Sequence, residues 1–417
     1  MRLRRVLIRT LLLFFLLLMP LRSSLPSATR WNTVALLARG HSYNWLAWLP
    51  SALGAKLGQA LWGLRPFLDE TAASQFLRDY VGELQRLRAL EARIAALYSD
   101  AAQSDPLSAS AELRRERDAL RQRLRERQSL AESVLEGQLA AVLVDLGFAV
   151  AGQVLPPVAM RMTPLPQVLV VSPRDEIRYE ISIGLDPLPL DEAVALEGQI
   201  EQRLDASALV LPIGGIALYP AMILESASIA RLADTFAHEW LHHYLFAFPL
   251  GQAWDYDSEA RIINETVASL FAQDVAMLLL RRYYPELAPT AANRQRVAFT
   301  DQGSFEFGAE MDRTRRRVDE LLERGEVEAA EAWMERQRQR FVANGFAIRR
   351  LNQAWFAFYG GYQSDVQGAG GEDPVGPALR ELLAGSDSLH DWVVSLRGIA
   401  TTAQLLDLVE KSRQQEA

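Results

Sequence analysis

The chain has 417 residues, 49% of them hydrophobic, which is ample for a packed core and long enough for two or three structural units. A net charge of −8 argues against a nucleic-acid surface. The absence of cysteine excludes a disulfide framework, Cys-ligated zinc, a thiol nucleophile and a lipidated N-terminal cysteine.

Residues 1–28 read as a targeting segment, either a signal peptide or a short membrane anchor. Arg2, Arg4, Arg5 and Arg9 precede an apolar run from Leu11 to Leu21, the length of a signal-peptide core and short of the ~20 residues a spanning helix needs. Small residues follow (Ser23, Ser24, Ser27, Ala28) without a clean A-x-A site. In either form the arginines stay cytoplasmic and the body is exported, periplasmic or extracellular, or anchored facing outward. Residues 29–70 carry four tryptophans (Trp31, Trp45, Trp48, Trp62) and few charges. They suit a membrane-proximal segment lying in the interface, or one packed against the body.

Residues 71–148 show two helical stripes, Phe76, Tyr80, Leu84, Leu87, Leu90 and Ile94, then Leu113, Leu120, Leu124, Leu135, Leu139 and Val142. A turn near Ser104-Asp105-Pro106 joins them into a helical hairpin. Arginines and acids interleave from Arg114 to Arg127, the pattern of a solvated helix face. After Gly147 the texture changes. Val154–Met162, Gln167–Ser172 and Ile177–Ile183 are short β-prone runs, and Leu190–Leu204 has helical spacing. Leu209–Pro220 reads as a strand that Pro212, Gly214 and Pro220 demote to an edge. Such an unpaired edge can accept an extended peptide by strand addition.

The helix that follows carries the chemistry. Ile229, Leu232, Ala233, Phe236, Trp240 and Leu241 have the spacing of a buried helix, with Ser226 or Ser228 to cap it and Pro249-Leu250-Gly251 to stop it. Within it His238, Glu239 and His242 spell H-E-x-x-H, so two imidazoles one turn apart can grip one metal ion. Three of the five histidines fall between His238 and His243. A catalytic zinc site takes three protein ligands, and the third must come from elsewhere. Asp257–Tyr283 reads as a second helix, and in it lies Asn264-Glu265-Thr266.

At His238, Glu239, His242 and Glu265 the chain resembles the gluzincin class of zinc metallopeptidases, in which a ligating glutamate follows on the next helix, often within Asn-Glu. The resemblance implies an α+β fold whose residues 149–300 form a zincin-like core, a small mixed sheet followed by metal-binding helices. It also implies one Zn²⁺ per chain and a peptide or protein substrate. The chain departs from the class where many members carry an aspartate four residues after the glutamate; here that place is Ser269. Glu259 is a rival third ligand, but it lies about 120° around the helix from Glu265. An acid in the first turn is already explained by capping and the helix dipole. Glu265, mid-helix among Ala268, Ser269 and Ala272, needs a partner if buried.

Residues 301–417 read as a helical region: Phe305–Arg324, Val327–Asn344, Phe346–Tyr362, then short helices over Asp387–Arg413. Gln363–Pro377 is a glycine-containing loop, a lid or linker, since it lacks the Lys-Ser/Thr of a phosphate loop. The run Leu351 to Tyr362, with Tyr359 and Tyr362 beside two glycines, resembles the C-terminal part of a family of bacterial predicted aminopeptidases that also pair H-E-x-x-H with Asn-Glu. Glu239 is the expected general base. His243, Tyr359 and Tyr362 are candidate donors to the oxyanion. The expectation is an exported zinc peptidase, with an envelope scaffold bearing a structural metal as its rival.

Overall fold

The structure is a computed structural model that describes residues 2–18, 27, 29–99, 103–288, 305–364 and 368–416. It is an α+β chain, helical at both ends, with three small sheets between. The expected cleavage region at Ser23, Ser24 and Ala28 and the boundary at 300/301 lie outside the described residues.

Helix α1 (Arg2–Leu18) is apolar and exposed, and α2 (Arg30–Ala38) and α3 (Trp45–Trp62) follow. The expected hairpin is α4 (Glu70–Ser99) and α6 (Ala111–Asp145), with a short α5 (Pro106–Ala109) at the turn, where Asp105 accepts from the Ser108 amide at 3.0 Å. Both apolar stripes face inward: Tyr80, Leu84, Leu87, Leu120, Leu124 and Leu135 are buried. On the polar face Arg121 pairs with Glu91 and Glu225, and Arg127 with Glu83.

A hairpin of β1 (Ala149–Val150) and β2 (Gln153–Val154) leads into β3 (Met160–Met162). Strands β4 (Gln167–Pro173), β5 (Ile181–Leu185) and β6 (Ala206–Pro212) make an antiparallel sheet in the order β5-β4-β6, with α7 (Leu190–Leu204) between β5 and β6. Strand β7 (Gly215–Ile216) pairs antiparallel with β8 (Ala221–Ile223), which pairs parallel with β3. Two expectations are corrected here. Ile177–Glu180 is not strand, and Leu209–Pro220 is two strands in two sheets, broken at Ile213-Gly214. Both pieces remain sheet edges, as their prolines and glycines require.

Helix α8 (Ile229–Leu245) starts at Ser228, whose hydroxyl accepts from the Arg231 amide at 3.3 Å. It ends four residues before Pro249, which opens a separate turn, α9 (Pro249–Gln252). Helix α10 (Ser258–Tyr283) is capped by Asp257, which accepts from the Glu259 and Ala260 amides. It is long and apolar enough to cross a membrane, but it lies mostly buried inside the fold. The remaining helices are α11 (Phe307–Glu323), α12 (Val327–Ala343), α13 (Gln353–Tyr359), α14 (Val375–Gly385), α15 (Leu389–Leu396) and α16 (Thr402–Glu416). The helix expected over Phe346–Tyr362 is confined to α13, because Asn352 caps it by accepting from the Trp355 amide and Phe346 packs against Phe305 and Phe341 instead. The expected loop Gln363–Pro377 ends three residues early, at Pro374, just before α14.

One apolar core joins the hairpin α4/α6, β3 and β8, the helices α8 and α10, and α14 to α16. Smaller cores cover the two faces of the β5-β4-β6 sheet, one with α11 to α13 and one with α2 and α7. The metal-motif helices therefore stand on a large buried base, which holds their facing side chains in register.

Candidate metal centre

Helices α8 and α10 pack together so that His238, His242 and Glu265 converge. His238 Nε2 lies 3.0 Å from His242 Nε2 and 3.2 Å from Glu265 Oε2, and His242 Nε2 lies 3.5 Å from the same oxygen. Tetrahedral donors held about 2.0–2.1 Å from a zinc ion stand about 3.3 Å from one another. Three separations around that value, from two imidazoles and a carboxylate, fit one zinc ion. The donor set is also of the right chemistry, nitrogen and oxygen with one negative charge.

Each ligand is braced from behind. Asn264 Oδ1 accepts from His242 Nδ1 at 2.7 Å, while its amide nitrogen donates to the Leu250 carbonyl at 3.2 Å, which fixes the amide orientation. Nε2 is thereby the nitrogen that His242 would offer a metal ion on losing its proton. Trp254 Nε1 donates to Glu265 Oε1 at 2.8 Å, so one carboxylate oxygen is held and the other faces the histidines. Arg261 supports that tryptophan, donating to its carbonyl and lying over its ring. Ser269 Oγ sits 3.5 Å from His238 Nδ1.

Charge follows from this packing. Burial pushes Glu265 up, but His242 and His238 outweigh it and hold the carboxyl well below its ordinary value. Burial alone would lower His242, yet Glu265, Glu239 and Asn264 raise it to about 9. Burial raises Glu239 against the pull of the same two imidazoles. Two carboxylates in one site are thus pushed apart, Glu265 toward permanent charge and Glu239 toward a proton acceptor.

Glu239 is buried on α8 under strand β7. A Cβ on Gly215 would fall 2.3 Å from Glu239 Oε1 and 2.8 Å from its Cδ, so any other residue there would force this carboxylate to move. Gly215, just after the break in the expected long strand, therefore lies directly over the Glu239 carboxylate.

Of the three candidate donors, Tyr362 reaches the cluster. Its ring centroid is 6.2 Å from that of His238; although the side chain is 39% exposed at the cleft, the crowding around its phenol and then the Glu265 charge push it well above its ordinary value. Thr266, next to Glu265 on α10, clips the chain on both sides of it: its hydroxyl donates to the Gly361 carbonyl at 3.1 Å and accepts from the Gln363 amide at 3.2 Å. Tyr359 packs on Trp355 with ring centroids 4.5 Å apart and the planes tilted by 39°, and lines a cleft of about 950 Å³ along β6. That cleft meets the cluster through Tyr362, and among the described residues no hydrogen bond or ring contact joins Tyr359 to the histidines. His243 is turned away, donating through Nε2 to the Leu218 carbonyl at 2.7 Å, and burial keeps it neutral. The rival ligand Glu259 is exposed and accepts from the Thr402 amide at 2.8 Å, capping α16.

No family model, curated protein or solved structure matches this chain. Its site is read from its own geometry.

Proposed function

We propose that this chain is an exported, zinc-dependent peptidase with a zincin-like core, acting on peptide or protein substrates. The observation that carries the reading is the trio His238, His242 and Glu265 at zinc-ligand separations with Glu239 one residue from the first ligand. A zinc ion held there would lower the pKa of a water molecule and polarise the scissile carbonyl. Glu239 takes the proton of the attacking water and returns it to the leaving amine. The Tyr362 hydroxyl is the donor available to the developing oxyanion. The free edge of β7, lying on Glu239, offers main-chain hydrogen bonds that would align an extended peptide across the base. Export is supported by the apolar helix α1 behind its arginines.

The scaffold reading is weaker for two reasons. A structural zinc site closes with a fourth protein ligand, and Glu259, its one candidate, is occupied at α16. A site kept only for structure also has no use for a buried glutamate under a glycine strand. The deciding experiment measures zinc per chain and hydrolysis of a mixed peptide library, with and without chelator, on the parent and on Glu239→Gln. The variant should keep one zinc and lose nearly all hydrolysis. Full hydrolysis by Glu239→Gln, or a parent that holds no zinc, would end the peptidase reading.

A further inference from the structure

Helix α3 is docked inside out. It has one charged residue, Lys56, and that side chain points into the protein, 2.9 Å from Glu132 and 2.8 Å from Glu136 on α6. Gln59, one turn on, donates to Glu136. The same two acids also accept from the Met160 and Met162 amides of β3 and from Arg161. Ala52, Lys56 and Gln59 share the inward face, with Trp45 packed on Gly184 of β5 at its start. A helix ordinarily buries its apolar face and exposes its charges. Here the polar contacts hold the helix to the body and the leucines are left outside.

The outer face is Leu46, Leu53, Leu57 and Leu61, spaced at about whole turns, with Leu64 and Phe67 just beyond the helix. They are 45–83% exposed, and no charged side chain of α3 lies among them. Exposed apolar surface of this extent marks an interaction site. Its occupant is indicated by the chain just before it. Helix α1 exposes every large apolar side chain from Leu7 to Leu18, and eleven residues separate its end from Arg30. That connection spans at most about 40 Å. Among the described residues the apolar stretch of α1 is Leu7–Leu18, interrupted by Arg9, shorter than the ~20 residues of a comfortable membrane span.

We infer that the outer face of α3 lies in the interface of a lipid bilayer, as a second membrane contact beside α1. The inward network of Lys56 fixes the helix rigidly to α6 and β3, so the contact sets the orientation of the whole body on the membrane, and of the metal centre with it. This inference stands apart from the peptidase reading and survives its failure.

The test uses the full chain, which has no native cysteine to interfere. Single cysteines are placed at Leu53→Cys, Leu57→Cys and Leu61→Cys, and at Leu406→Cys on α16 as an exposed leucine elsewhere. Each carries an environment-sensitive fluorophore, and each protein is reconstituted in phosphatidylcholine–phosphatidylglycerol vesicles. The three α3 probes should shift to the blue and lose most of their emission to a quencher attached to the lipid chains. The Leu406 probe should respond to iodide in the water instead. Equal iodide quenching at all four positions would place α3 in solvent and overturn the inference. Shielding from both quenchers would overturn it too, assigning the face to a second copy of the chain or another protein.

Discussion

Gly215→Ala tests whether Glu239 works from its seat beneath β7. The added methyl would lie 2.3 Å from the carboxylate oxygen and 2.8 Å from Cδ and Cγ, against an ordinary contact of 3.4 Å or more, so the side chain must retreat by about 1 Å. The obstruction is a flexible side chain rather than backbone, so the fold can accommodate it and the melting temperature should move little. The base cannot accommodate it without losing its place, and a misplacement of about 1 Å costs on the order of 10²-fold in rate. His238, His242 and Glu265 are untouched, so zinc content should stay at the parent value. The assay is hydrolysis of the mixed peptide library at matched zinc loading, with thermal unfolding measured alongside. Parent-level turnover would refute the reasoning, since the base would then act from some other position. Loss of zinc would refute it differently, by showing that Glu239 and the ligands move as one unit.

Four further variants follow from the same geometry. Asn264→Ala removes the group that fixes the His242 tautomer, and zinc affinity measured by chelator competition should fall about 10–100-fold. Tyr362→Phe should lower kcat about 10²–10³-fold with zinc retained; Thr266→Val, which frees the segment carrying Tyr362, should lower kcat in the same direction and cost about 1–3 kcal/mol in urea unfolding. Glu259→Ala should leave zinc content unchanged and cost about 0.5–2 kcal/mol in stability through the lost α16 cap; zinc loss in this variant would reinstate it as a ligand.

How much could be read from the sequence depended on whether the signal was periodic. Helix α7 coincides with its expected span, and α8 and α10 begin at caps, Ser228 and Asp257, that the sequence offers beside a clear apolar stripe. The histidine pair was legible because i,i+4 spacing on a helix is itself a geometry, whereas Glu265 came in through the resemblance to the gluzincin class. The braces behind these ligands were not. Asn264 is visible in the motif, but its bond to His242 depends on how two helices cross. Trp254 comes from the irregular turn between them, where no period exists. Nothing in the sequence singles out Gly215, whose role depends on Glu239 lying beneath it. The aromatic run after Phe346 mimics a helix, yet its rings fill a core between sheet and helices, and that tertiary demand overrode local preference.

Glu265 and Thr266 are neighbours on one rigid helix, so the proposed metal ligand and the clip on Tyr362 share a backbone. If an ion at Glu265 changes the affinity for a molecule held by Tyr362, that molecule changes the affinity for the ion by the same factor, because linkage is reciprocal. An ion bound there would then be held most firmly while something lies in the cleft, and released most readily when the cleft is empty.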